Sequence, residues 1–268
     1  QLSAMETTDL IAMSTAQVGT LTTLQIGGLT TTQVAAMYLN SRPMTSAQIS
    51  GLSTAAIAAL TTAQLSTGDT NVFTTAHMQA LTSAQVKALT SAQLNALYEY
   101  QLQAIDASDI SAIGTAVVSA ITSDQLRSMN TAQIAALRTS QIRSLTTLQV
   151  ANLAADQVAA LVTADVAALS TAQVKALTSE QLQAMTTSQV KALTTAGVSL
   201  ISGDNFAQFT TAQIAAMTTS QVRAWNTDQI SNMLDDQLKV LSTGDIAALV
   251  TSNVAALSSN QISLLSTS

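Results

Sequence analysis

The first residue to test for chemistry is His77, the single histidine of the chain. An imidazole binds a metal or drives a nucleophile only with partners, and neither a second histidine nor any cysteine is present to supply them. His77 stands where neighbouring segments carry Gln, so the expected role is structural, a ring replacing an amide. Two stretches, "STGDTN" at 66–71 and "SGDN" at 202–205, combine the residue types of calcium loops. Neither has the acidic density of an EF-hand or the glycine-rich nonapeptide of a β-roll, and both are expected to be turns. Tyr98 and Tyr100, in "LYEYQLQAI", offer a small exposed aromatic contact. Trp225, Phe73 and Phe209 stand where Leu is usual and read as core filling. Rows of Thr and Ser admit three roles: helix caps, acceptors for O-linked glycans, or a regular hydroxyl array that binds ice. A capping hydroxyl is committed to its own backbone, which sets capping first and ice binding last. No catalytic, cofactor-binding or metal-ligating residue is assigned, and no enzymatic activity is expected.

The elements that carry these residues are written in the sequence by repetition. From Phe73 to Leu264 the chain is an unbroken series of octads: large apolar, Thr, Thr or Ser, variable, Gln, Val/Ile/Leu, variable, Ala. These positions are numbered one to eight. Before Phe73 the register breaks twice, at 38–43 and 66–72. The stretch "MYLNSRP", Met37 to Pro43, is one residue short and holds the only proline, while "STGDTNV", Ser66 to Val72, reads as an insertion with turn chemistry. Residues 1–268 are thus expected to form a single continuous repeat array. Both ends stop in mid-octad without a polar cap, which leads to the expectation of a window on a longer array, or of a subunit whose ends are covered by neighbours.

Eight residues suit neither a continuous helix nor a simple strand. At about 100° per residue, a helix rotates its leucines by roughly 80° per octad and forms no lasting face. In a strand, inward residues share parity, yet position one is odd and positions six and eight are even. A β-solenoid, the alternative fold, also turns corners on glycine, and only nine glycines are present.

One very short helix per octad resolves the conflict. With Thr82 as N-cap, Gln85 completes a capping box, and Leu81 and Val86 form a hydrophobic staple. Where Thr is missing from position two, as in "LVTADVAAL" (161 to 169) and "LRTSQIRSL" (137 to 145), the cap is expected to move one residue later. Charges support the same register. Of fifteen acids, all but Asp69 fall at positions two to five, and seven of nine bases (Lys87, Arg127, Arg143, Lys175, Lys191, Arg223 and Lys239) fall at position seven. That segregation follows the helix dipole. The expected fold is an all-α solenoid of very short helices around a core of positions one, six and eight.

Composition narrows the function classes. Charged residues are 9% and aromatic residues 3%, while hydrophobic residues reach 47% and mean hydropathy is +0.33, so the chain is biased but able to bury a core. A net charge of −6 with nine dispersed bases leaves no basic face for nucleic acid. No apolar run is long enough to span a bilayer.

At the level of "LSTAQVKALTSEQLQAMTTSQVKALTTA", residues 169 to 196, the chain resembles the tandem Leu-Thr-Thr-Ala-Gln-Val-Ala-Ala segments of very large bacterial secreted or cell-surface proteins. The resemblance implies an extracellular, extended structural region and transfers no binding or catalytic residue. The resulting expectation is a segment of an extracellular filament or adhesin stalk that associates with like repeats. The alternative is a solenoid that binds a protein or carbohydrate on one face.

Overall fold

In a representative octad, positions one and two are extended and the other six residues are helical. Met185 (φ −61°, ψ 140°) and Thr186 (φ −69°, ψ 157°) lead into the helix Thr187–Ala192, and Leu193 (φ −58°, ψ 138°) is extended again. These dihedrals are open to any L-residue, so the chain turns at every octad without glycine. The large apolar residue at position one ends each helix, its N–H bonding the carbonyl of position six, as from Leu193 to Val190 at 3.2 Å. Six helical residues and a two-residue extended link make up the period of eight.

The computed structural model describes residues 2–39, 48, 51–58, 60 and 73–265. Among these are 29 α-helices and no strand, so the fold is all-α and the β-solenoid alternative falls. None of the helices is long and apolar enough to cross a membrane. Contacts group the chain into two compact units, Gln1–Ala136 and Leu137–Ser268, and the sequence register runs on through Ala136 and Leu137.

Within each unit the recurring contact is between a helix and the third one along. In the second unit, the helices that begin at Ala155, Ser179, Gly203 and Thr227 stack in order, a step of 24 residues. In the first, Ala107–Ile110 packs on Ser83–Ala88 and on Thr131–Ala135. Three octads therefore complete one coil of an α-solenoid. A helix of five or six residues does not persist alone, because its few hydrogen bonds do not offset nucleation. Stacking supplies what is missing, since Val174, Leu177, Leu182 and Met185 are all buried.

The core differs from the expected one. Positions one and six are buried, but the alanine at position eight is only half-buried, as at Ala88, Ala168 and Ala176. Position five takes its place: Gln133, Gln173, Gln181 and Gln229 are between 0% and 2% exposed.

Caps form as the octad dictates, with Thr178, Thr186, Thr210 and Thr218 each completing a box with the Gln three residues on. Where the hydroxyl is missing, the cap does not move. Arg138 and Val162 remain the N-caps of Thr139–Ser144 and Thr163–Ala168, without a side-chain bond. Stacking fixes the helix start, and the cap only reinforces it. Ala154 shows how much survives: its N–H still donates to Gln157 Oε1 at 2.8 Å, and the helix Ala155–Ala160 forms. In Thr186→Ala the bond from Gln189 N to Thr186 Oγ1 (3.2 Å) is lost and that from Thr186 N to Gln189 Oε1 (2.7 Å) is kept. The expected loss of stability in urea denaturation is about 1 kcal/mol.

Candidate functional site: a buried glutamine ladder

The side chain that organises this molecule is the carboxamide at position five. Gln181 accepts from Thr178 N through Oε1 at 2.9 Å, and its own backbone N–H donates to Thr178 Oγ1 at 3.2 Å. Its Nε2 reaches into the preceding coil and donates to Val150 O at 2.9 Å and Leu153 O at 2.7 Å. Gln133 does the same in the first unit, with Asn130 as cap and Leu102 O (2.9 Å) and Ile105 O (2.8 Å) as acceptors. The acceptors lie 31 and 28 residues back at the end of a helix: Leu102 O already holds the N–H of Ile105 and takes the amide as a second donor, while Ile105 O lies one residue past the helix. A primary amide has two N–H donors and one acceptor on a single planar head. Glutamine can therefore close the start of its own helix and the end of the helix beneath at once, with no buried charge.

Substitutions at this position show what the amide supplies. Asn253 is shorter and reaches one carbonyl, Trp225 O at 2.8 Å. Asp109 bonds the hydroxyl of Ser83. The four helices of only four residues, Ala107–Ile110, Thr115–Val118, Thr195–Val198 and Gly203–Phe206, all lie in octads that carry Asp109, Val117, Gly197 or Asn205 in place of Gln. In three of them a position-seven serine bonds the carbonyl three residues back, Ser111 to Ser108 O, Ser119 to Ala116 O and Ser199 to Ala196 O, each at 3.0 Å.

His77 occupies the same place. Its Nε2 lies 2.7 Å from Leu52 O, and its Nδ1 accepts from Thr74 N at 3.4 Å. A carbonyl only accepts and an amide N–H only donates, so the proton sits on Nε2. The ring is 2% exposed and meets Phe73 edge to face at 5.8 Å.

Asp165 is the ladder's weak rung. It is 1% exposed, one carboxylate oxygen accepts from Thr139 Oγ1 at 2.8 Å, and Oδ2 is buried with no partner. Burial pushes its pKa above the usual carboxylate range, and the Thr139 bond pulls the other way less strongly. The folded state thus holds this proton more tightly than the unfolded chain. The carboxylate opposes folding near neutral pH, and the penalty is relieved as pH falls through the folded pKa. Asp165→Asn is expected to be more stable than the parent by about 1 kcal/mol near neutral pH. Urea titrations across pH should find that advantage shrinking on acidification.

The remaining sequence candidates fall into place individually. "SGDN" is a helix start: Ser202 Oγ accepts from Asn205 N at 3.4 Å, and Gly203 N donates to Asp228 Oδ2 at 2.6 Å. A Cβ at Gly203 would lie 2.7 Å from Asp228 O, so only glycine admits this approach. "STGDTN" lies outside the described residues. So does most of each register break, but bonds across the breaks count the residues between them. Gln48 Nε2 donates to Leu21 O, 27 residues back, and Gln85 Nε2 to Leu60 O, 25 back, where the ladder elsewhere spans 28. The coil that spans the first break is thus one residue shorter than elsewhere, and the coil that spans the second is three residues shorter.

Phe73, Phe209 and Trp225 are buried, with Phe206 5.3 Å from Trp225 ring to ring. Tyr98 and Tyr100 are 58% and 55% exposed and stack at 5.6 Å, nearly parallel. Among the described residues no group of three or more His, Asp or Glu side chains is placed to hold a metal ion.

No curated protein matches the chain significantly. The ALTTAQ repeat family matches residues 2–38, 63–98, 102–139, 158–195 and 206–243, well over half of the sequence. With that coverage the chain, its octads capped by Thr and joined coil to coil by Gln, belongs to the ALTTAQ repeat family.

Proposed function

We propose that this chain is a non-catalytic structural segment of an extracellular filament or adhesin stalk on a bacterial cell surface. The observation that carries the reading is the ladder itself. Each helix end offers two carbonyls to the glutamine stacked on it one coil later, so the same joint serves any number of coils and length is set by repeat number alone. The side chains that vary from octad to octad, at positions four and seven, are mostly polar or small, with Leu24, Tyr100 and Leu148 as exposed exceptions. Exposed hydroxyls at position three, such as Thr187, Thr195 and Thr211, are the acceptors for O-linked sugars on this reading, because the position-two hydroxyls are occupied in caps.

Antibody to residues 1–268, used in immunogold electron microscopy of native cell-surface material, tests the proposal. Label along fibres or rods with a regular axial repeat is the expected result. Label confined to compact globular particles, or to the cell interior, overturns it.

A further inference from the structure

Charges that look dispersed along the sequence align once the coils are stacked. In the second unit, the helices Ala155–Ala160, Ser179–Ala184, Gly203–Phe206 and Thr227–Asn232 form one column. Each of these four carries an exposed acid at position four, Asp156, Glu180, Asp204 and Asp228, and none contains Lys or Arg; Thr251–Ala256, which packs on the last of them, has Ser252 there. The column through Thr139–Ser144, Thr163–Ala168, Thr187–Ala192, Thr211–Ala216 and Asp235–Lys239 carries a base at position seven of every second helix: Arg143, Lys191 and Lys239. The third column, through Thr171–Lys175, Thr195–Val198 and Thr219–Arg223, carries Lys175 and Arg223, again on alternate helices. All five bases are exposed.

The helix dipole explains why acids occupy position four and bases position seven. It does not explain the sorting by column, because all three columns have the same helix ends. In the helices named, the two basic columns carry Ser or Ala at position four, Asp236 excepted, and that residue pairs with Lys239 at 2.9 Å. An acidic ladder with one carboxylate per coil has a further property. Packed helices lie about 8–10 Å apart, within one Debye length of each other at moderate salt, so the acids repel along the column and favour any opposed row of bases.

We propose that copies of this chain associate side by side, with the acidic column of one against a basic column of the next. Acids recur every 24 residues and bases in one column every 48, as from Arg143 to Lys191 and from Lys175 to Arg223, so one copy's bases meet alternate acids of the other in register. The two surfaces differ, which makes the contact heterologous, and it therefore adds further copies instead of closing at two. Exposed ion pairs contribute little singly, and the association is weak, cumulative and reversed by salt. The proposal deepens the structural reading and rests on it only in that copies meet; an isolated stalk satisfies that reading without this contact.

Sedimentation velocity of the 268-residue chain at about 20 mM and about 500 mM NaCl provides the test, the two values bracketing strong and weak screening. At low salt the average sedimentation coefficient is expected to rise with protein concentration; at high salt it stays at the monomer value. Glu180→Lys with Asp204→Lys, and separately Arg143→Glu with Lys191→Glu, should each weaken association at least tenfold, and a mixture of the two variants should associate again. Should the lysine pair disturb folding by circular dichroism, Glu180→Gln with Asp204→Asn replaces it. A chain monomeric at low salt, or a mixture that fails to associate, overturns the proposal. Association unaffected by salt and by all of these substitutions also overturns it, and points to end-to-end stacking, which leaves the structural reading intact.

Discussion

Gln221→Leu is expected to destabilise the second unit by about 2–4 kcal/mol, although leucine is the most frequent core residue and nearly the same size. The substitution removes five bonds: Thr218 N (2.8 Å) and Thr218 Oγ1 (3.2 Å) donate to Oε1, and Nε2 donates to Val190 O (2.9 Å), Leu193 O (2.8 Å) and, at 3.4 Å, Lys191 O. Val190 O keeps the N–H of Leu193 as a partner. Leu193 O and Thr218 N lose theirs in a site where Gln221 itself is 1% exposed, and each such orphan costs on the order of 1–3 kcal/mol. Apolar gain from the leucine offsets part of this. Urea denaturation followed by circular dichroism gives the total, and hydrogen exchange should place the loss at the helices Thr187–Ala192 and Thr219–Arg223. A Gln221→Leu protein as stable as the parent would remove the ladder from the account of this fold. Gln221→Glu adds a sign test. A carboxylate facing two carbonyls has its pKa raised by burial, so that variant should be least stable near neutral pH and recover as pH falls through the raised value.

Phe206→Ala is expected to cost about 3–5 kcal/mol. Phe206 is 0% exposed, lies 5.5 Å from Phe209 and 5.3 Å from Trp225, and belongs to a four-residue helix with few backbone bonds to hold it. Alanine leaves a cavity that such a short helix can close only by shifting, and the transfer free energy of the ring is lost as well. Trp225, the single tryptophan, is 3% exposed and is a direct reporter. Its emission should move to longer wavelength, and the midpoint of thermal unfolding should fall. Because coils are coupled mainly to their neighbours, residues 107–135 should keep their hydrogen-exchange protection.

What the sequence discloses of this fold follows the range of each interaction. The cap is local: Thr186 and Gln189 are three residues apart, and chemistry at that distance recurs visibly in every octad. The choice of short helices over strands came from the parity of positions one and six and from the sorting of acids and bases, both properties of a single repeat. The other end of the same glutamine is different. Its acceptors lie 28 and 31 residues away, and a pattern that repeats every eight residues contains nothing to mark every third repeat. Position five was therefore readable as a capping residue and not as core, and alanine at position eight was given its place.

A signal of the coil does exist, in departures from the consensus. Asp156, Glu180, Asp204 and Asp228 recur every 24 residues, and Arg127, Lys175 and Arg223 every 48. Spacing among the exceptions, and not the consensus, carried the count of octads per coil. The expected cap shift at Arg138 and Val162 failed for a related reason. Helix starts are set by the coil beneath, a neighbour that the local sequence does not name.

The ladder also has a direction. Each long-range bond that a glutamine side chain makes above runs to carbonyls nearer the amino terminus, as Gln181 reaches Val150 and Gln213 reaches Leu182. A polypeptide leaving a ribosome or a secretion pore emerges amino end first, so every glutamine finds its acceptors already in place. Each new coil folds on a finished template and waits for nothing still to be made. The length of untemplated chain at any moment stays near one coil, however many are to follow. Growth of this kind adds coils without accumulating a large unfolded intermediate.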